Sequence, residues 1–145
     1  MFSFLAQWLR RRAPTRPADG NAPADPIGAR GEDLAAAYLE AQGFRIVERN
    51  FRARGGEIDI VAMDGKELVF VEVKTRGSER FGRPEEAVDR RKAARLSRAA
   101  REYWQQRRLR GLVVRCDVVA VRLNGDAPPE TILFRDAVPL AGEFW

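Results

Sequence analysis

The spacing of apolar and polar positions changes several times along the chain, and each change predicts an element. Ile27, Leu34, Tyr38 and Ala41 recur at turn spacing, which predicts a helix over Gly28 to Gln42, with Gly43 as its C-cap. RIVERNF, from Arg45 to Phe51, reads as a short strand, and RARGG as a turn. EIDIVA (Glu57 to Ala62) alternates at period two, with Ile58, Ile60 and Ala62 sharing one face. Met63-Asp64-Gly65-Lys66 supplies turn chemistry, and ELVFVEVKT (Glu67 to Thr75) returns with Val69, Val71 and Val73 on one face. A turn so short predicts antiparallel pairing of these two strands.

Beyond a basic loop from Arg76 to Arg83, Pro84 opens a helix expected to run to about Arg108, with Glu85 and Glu86 in the first turn, where the helix dipole favours acids. LVVRCDVVAV (Leu112 to Val121) is a long apolar strand suited to the sheet interior. After an NGDAPP turn, TILF reads as a short edge strand followed by an irregular tail. The order helix, three strands, helix, strand is that of one mixed α/β layer structure.

The 145 residues suit a single domain. Residues 1–26 stand apart from it as a flexible tail: MFSFLAQWLRRR runs apolar then basic, the reverse of a signal peptide, and a Pro- and Ala-rich linker follows. The folded domain is expected over residues 27–145. No stretch reaches the roughly 18 apolar residues of a membrane-spanning helix, so the expectation is a cytoplasmic protein without a membrane partner. One cysteine and no histidine exclude an internal disulfide framework, zinc sites built from Cys and His, and histidine-based triads. Catalysis would have to come from carboxylates, Lys, Arg, Tyr or an oxygen-bound metal.

Candidate chemistry sits on the paired strands. Side chains alternate along a strand, so Glu72 and Lys74 project together while Val71 and Val73 point away; Glu57 and Asp59 likewise share a face. If the valine and isoleucine faces pack on the same helices, Asp59, Glu72 and Lys74 converge on the opposite one. Two carboxylates beside an ammonium form a hard-oxygen site for Mg²⁺ or Mn²⁺, to which the Val73 carbonyl could add a ligand. Such a site can polarise a phosphoryl oxygen and activate water, with Lys74 orienting or deprotonating that water or neutralising the phosphorane. The ordinary alternative is a solvated cross-strand ion pair. Charges placed within apolar runs as strong as VFVEVK and EIDIV favour use over decoration.

These residues carry a resemblance. GGEIDIVA followed by LVFVEVKTR resembles the bipartite D…E-x-K signature of the PD-(D/E)xK nucleases, with Glu-Ile-Asp where the superfamily has Pro-Asp. Together with G-x-R-G-E (Gly28 to Glu32), NFRARGGEIDIVA, the FG-x-P loop and R-C-D-V-V, the chain resembles the UPF0102 family, regarded as endonuclease-like and similar to archaeal Holliday-junction resolvases, over roughly Gly28 to Val121. The resemblance implies a restriction-endonuclease-like αβββαβ core and a Mg²⁺-dependent DNA endonuclease selective for branched or double-stranded DNA, leaving 5′-phosphate and 3′-hydroxyl ends. Asp59, Glu72 and Lys74 would handle metal and water. Glu32 would match the acid that related resolvases contribute from their first helix. Resolvases cut two strands symmetrically as dimers, which implies a homodimer, although no dimer surface is identifiable in the sequence.

Charge adds a surface. The chain carries +5 overall, but Arg76 to Arg115 alone holds 13 basic and 5 acidic residues, leaving the remainder net acidic. On the second helix Val88, Leu96, Ala99 and Tyr103 define the buried arc, with Lys92 in its middle, either snorkelling to solvent or directed at the carboxylates or a phosphate. Arg90, Arg91, Arg95, Arg98 and Arg101 lie opposite, with Glu102 as the lone acid among them. Arg91, Arg95 and Arg98, with Lys92 and with Arg76, Arg80 and Arg83 of the loop, are the candidate phosphate contacts. Glu32, at the border of the first helix's apolar arc, could reach the sheet edge or stay solvated. Asp117 reads as an interior acid supporting the sheet or a loop, Cys116 as a small buried hydrophobe, and Tyr103 and Trp104 as core. Two other functions fit the same composition: a non-catalytic nucleic-acid-binding module on this fold, and an adaptor whose basic face meets an acidic protein or a membrane surface.

Overall fold

A computed structural model describes residues 26–76, 90–142 and 144. Two helices and five strands follow in the order α1 (Pro26–Ala41), β1 (Arg45–Ala53), β2 (Gly56–Asp64), β3 (Glu67–Arg76), α2 (Arg90–Gln106), β4 (Val113–Asn124) and β5 (Ala127–Val138). They build one mixed sheet of order β1-β2-β3-β4-β5. Hairpins pair β1 with β2 and β2 with β3, and the latter closes at Asp64↔Glu67 around Gly65 in the left-handed region (φ 59°). The strands β3 and β4 are parallel, as a connection through a helix allows, and β5 returns antiparallel. The expected αβββαβ order is thus present. The predicted tail lies outside the described residues apart from Pro26, as do the loop residues Gly77 to Arg83, the helix start at Pro84 and Val88.

Both faces of the sheet are covered, and the valine face of β3 shares its helix with Ile60 and Ala62 of β2 as expected, while Ile58 alone leaves that row. Beneath α1, Ala35 and Leu39 pack with Ile60, Ala62, Val69, Val71, Val119 and Val121. Beneath α2, Leu96, Tyr103 and Trp104 pack with Phe51, Ile58, Val61, Phe70, Cys116 and Val118. Tyr103 stands edge-on to Phe51 and Phe70 at centroid distances of 5.0 and 5.7 Å. Ile58 and Ile60 therefore belong to opposite cores, so the period-two reading of β2 breaks between them. The buried face of α1 also differs from the predicted arc. Gly31, Ala35, Ala36 and Leu39 face inward, Leu34 and Tyr38 are half-buried, and Ile27 and Ala41 are exposed. Small residues let this helix approach closely: a Cβ on Gly31 would meet Thr75 Oγ1 of β3 at 1.8 Å.

At its far end β5 is longer than predicted. Pro128 and Pro129 fall inside it, which an edge strand tolerates. Its C-terminal half continues past Arg135 and Asp136 because both are tied inward. Arg135 Nη1 donates to Asp64 at 2.6 Å, and Asp136, at φ 50°, donates its N–H to Asp117 Oδ1 at 2.8 Å. Fully buried Asp117 also accepts from Arg115 Nε at 3.0 Å. Arg115 in turn binds Asp64 and Glu67. Asp117 is thus the interior acid that supports a sheet edge. Cys116 is buried, and that burial pushes its thiol far above its usual range, making it inert.

Candidate functional site

The last ladder pair between β2 and β3 toward their open ends is Ile60↔Val71, so regular pairing would next set Ile58 opposite Val73. Instead the Val73 N–H donates to Asp59 Oδ2 at 2.8 Å. A side chain takes the place of a strand partner, and the two strands part around it. That departure explains the switch of cores between Ile58 and Ile60. It also puts the Asp59 carboxylate in the gap, within reach of groups from both faces.

From the α2 side comes Glu72, continuing the Leu68–Phe70 row of β3 and only 3% exposed. Its Oε1 lies 3.4 Å from Lys74 Nζ and 3.1 Å from Lys92 Nζ. Lys92 on α2 is thus directed at the carboxylates rather than only snorkelling. From the α1 side comes Glu32, which lies 3.8 Å from Arg49 Nη2. One carboxylate oxygen each from Glu32, Glu57 and Asp59 lie within 4.8 Å of one another. Sequence reasoning had put Glu57 on the face of Asp59 but had given it no role; its i−2 spacing was the available signal. Val73 takes part through its N–H, where only its carbonyl had been considered.

Electrostatics at this point are strained. Burial, and next the charge of Glu72, push the Asp59 carboxyl up to about 8, while the bond from the Val73 N–H opposes them. Burial likewise raises Glu32, against the lowering effects of the nearby Asn50 side chain and the Arg49 charge. Carboxylate oxygens gathered this closely are the donor set that suits a hard divalent cation. Glu32, Glu57 and Asp59 therefore fit the metal that the motif implies, whereas Glu72 falls outside that cluster, with its Oε1 against Lys74 and Lys92.

The basic residues divide. Arg91, Arg95 and Arg98 are exposed along α2 with Arg90 and Arg101, Arg76 is exposed at the end of β3, and none of these is ion-paired among the described residues. Arg80 and Arg83 lie outside the described residues. The β1–β2 turn presses on this row: a Cβ at Gly56 would meet the Arg95 carbonyl at 2.8 Å, and Gly55 lies against the Arg98 side chain. Beside it, Arg54, Arg98, Arg101, Glu102, Gln105 and Gln106 line an open groove of about 570 Å³. Among the described residues no helix is long and apolar enough to cross a membrane.

Residues 31–121 match the family described as "Uncharacterised protein family UPF0102". A UPF0102 protein of Geobacter sulfurreducens is 52% identical over 103 residues, covering 70% of this chain and 80% of its own. One from Syntrophus aciditrophicus is 48% identical over 114 residues, covering 79% and 89%. Another, from Arthrobacter sp., is 54% identical over 105 residues, covering 72% and 89%. The chain belongs to the UPF0102 family.

Proposed function

We propose that this UPF0102 protein is a metal-dependent DNA endonuclease of the PD-(D/E)xK kind, hydrolysing phosphodiester bonds in double-stranded or branched DNA with Mg²⁺ or Mn²⁺. The observation that carries this is the crowding of Asp59 by Glu72 on one side and Glu32 and Glu57 on the other, with two lysines at Glu72. Asp59, Glu32 and Glu57 would hold the ion, with Glu72 beside them and the Val73 carbonyl as a further ligand. The bound ion would supply Lewis acidity toward a phosphoryl oxygen and lower the pKa of water. Lys74 would orient the attacking water or neutralise charge on the phosphorane, and Lys92 would keep Glu72 in place or meet a phosphate.

Exposed Arg76, Arg91, Arg95 and Arg98 would hold the DNA backbone without reading its sequence, joined by Arg80 and Arg83 of the loop. A homodimer, as in resolvases, would place two such sites on two strands. The test is incubation of purified protein with four-way junction, flap and plasmid DNA in Mg²⁺ or Mn²⁺. Cleavage above an Asp59→Ala control is expected, and none on any substrate would defeat the proposal. If wild type and Glu72→Ala bind DNA alike, without metal, and neither cuts, the protein is a binding module on a nuclease fold. The exposed arginine row of α2 would serve that role equally well.

A further inference from the structure

The open groove beside the β1–β2 turn lies apart from the acid cluster, and its charges are arranged rather than scattered. Arg54 reaches it from the turn, and Arg98, Arg101, Glu102, Gln105 and Gln106 reach it from α2. Glu102 is the one acid in this lining, and both its oxygens are engaged. Oε2 accepts from the Arg54 N–H at 3.1 Å and Oε1 from Gln106 Nε2 at 3.0 Å. Three guanidinium groups against one such acid leave the groove cationic.

Two of the arginines run against backbone. A Cβ at Gly55 would meet Arg98 Nε at 3.0 Å, so that side chain lies along the turn. A Cβ at Gly142 would meet Arg101 Cδ at 2.5 Å, and this segment is fastened to α2 by the Ala141 N–H, which donates to Ser97 Oγ at 3.0 Å. Contacts of this kind remove rotamer freedom before a ligand arrives and so lower the entropy cost of binding an anion. Planar guanidinium groups beside side-chain amides suit phosphate oxygens.

The groove also continues the exposed face of α2. Arg91, Arg95, Arg98, Arg101 and Gln105 succeed one another at three- and four-residue spacing, and all are exposed. The row starts beside Lys92, whose Nζ lies 3.1 Å from Glu72, and reaches the groove about 20 Å further along the helix. That span matches roughly six base pairs of duplex. A straight cationic row that ends in a groove fits a backbone of regularly spaced phosphates.

We infer that the groove of Arg54, Arg98 and Arg101 is a subsite for the phosphodiester backbone of duplex DNA, which lies along α2 rather than across it. The inference rests on the DNA reading above and adds a point of contact away from the acid cluster.

The test measures binding of a duplex of about 20 base pairs, roughly two helical turns, without divalent metal and across salt concentrations. Arg54→Ala and Arg101→Ala should each lower the log–log salt slope by about one and weaken binding at moderate salt. Glu102→Gln keeps an acceptor for the Arg54 N–H and removes the negative charge, so it should tighten binding. Arg45→Ala removes an exposed arginine at the far end of β1 and should leave the slope unchanged. Unaltered slopes in Arg54→Ala and Arg101→Ala, an equal fall in Arg45→Ala, or equal affinity of wild type for polyglutamate would each overturn the inference and leave the acid site standing. A wild type that binds no duplex at all would remove the DNA reading with it.

Discussion

The Val73 N–H donates to Asp59 Oδ2 at 2.8 Å, a side chain standing where the neighbouring strand would have paired. This bond fixes the acid at the parting of β2 and β3 and makes it a member of two neighbourhoods, Glu72 with its lysines and Glu32 with Glu57. Its consequences for pH follow directly. The Asp59 carboxyl is raised from 3.8 to about 8, so the folded chain keeps a proton that the unfolded chain has lost between those values. Apo-protein stability should therefore fall as pH rises through that window, by at most about 1.4 kcal/mol per unit, and level off above it.

Asp59→Asn should abolish that slope. Its melting temperature should exceed wild type at pH 7 to 8, and the gain should shrink toward pH 4, because Asn still accepts from the Val73 N–H. Conversely, Mn²⁺ should stabilise wild type more at pH 8 than at pH 6, since binding displaces the proton kept on Asp59. Thermal melts across pH with and without Mn²⁺ check both; a variant parallel to wild type across the range would contradict the assignment.

Gly31→Ala places a methyl group 1.8 Å from Thr75 Oγ1, a short side chain with little room to yield. We expect a loss of roughly 1–3 kcal/mol in urea unfolding. Mn²⁺ affinity should fall as well, because Glu32 is the next residue on the displaced helix. Thr75→Ala in the same chain should restore part of the stability.

Arg115→Ala should leave Asp117 buried without its cation, costing about 3–5 kcal/mol. Arg115 sits near the start of β4, level with Val69, whereas the acid cluster lies beyond the Ile60↔Val71 pair. Mn²⁺ affinity measured well below the melting temperature should therefore be unchanged. Equal loss of stability and metal affinity would mean the two ends of the sheet are coupled.

If the α2 arginines meet phosphates, their replacement should weaken DNA binding and flatten its salt dependence. Each of Arg91→Ala, Arg95→Ala and Arg98→Ala that removes one phosphate contact should reduce the log–log salt slope by about one. Unaltered slopes with weaker binding would point to a structural effect of the substitution, and slopes near zero in wild type to a protein or membrane partner.

Much of this architecture was legible in the sequence because it depends on period and on turn chemistry. Gly65, the Val69–Val71 row and the Leu96–Ala99–Tyr103 arc each report a local preference. What escaped were places where tertiary contacts override the local pattern. Ile58 left its expected row because the Asp59 carboxylate took the Val73 N–H. The inward face of α1 is a Gly31–Ala35–Leu39 stripe, invisible to a search for large hydrophobes because its virtue is lack of bulk. The second half of β5 depends on Arg135 and Asp136 reaching Asp64 and Asp117, partners more than fifteen residues away. In the site, the alternation of β3 was enough to join Glu72 with Lys74. Glu57 needed coordinates, since its place depends on the break in β2.

The strand β3 has a neighbour on each side and a helix over each face, and Glu72 is anchored on it. A segment enclosed in this way has no private route to opening. Its amide hydrogens should be among the last to exchange, and warming the protein should not produce a state in which Glu72 has come loose while the remaining sheet is intact. Heat would then spare this acid's placement up to the cooperative transition and abolish it there in a single event.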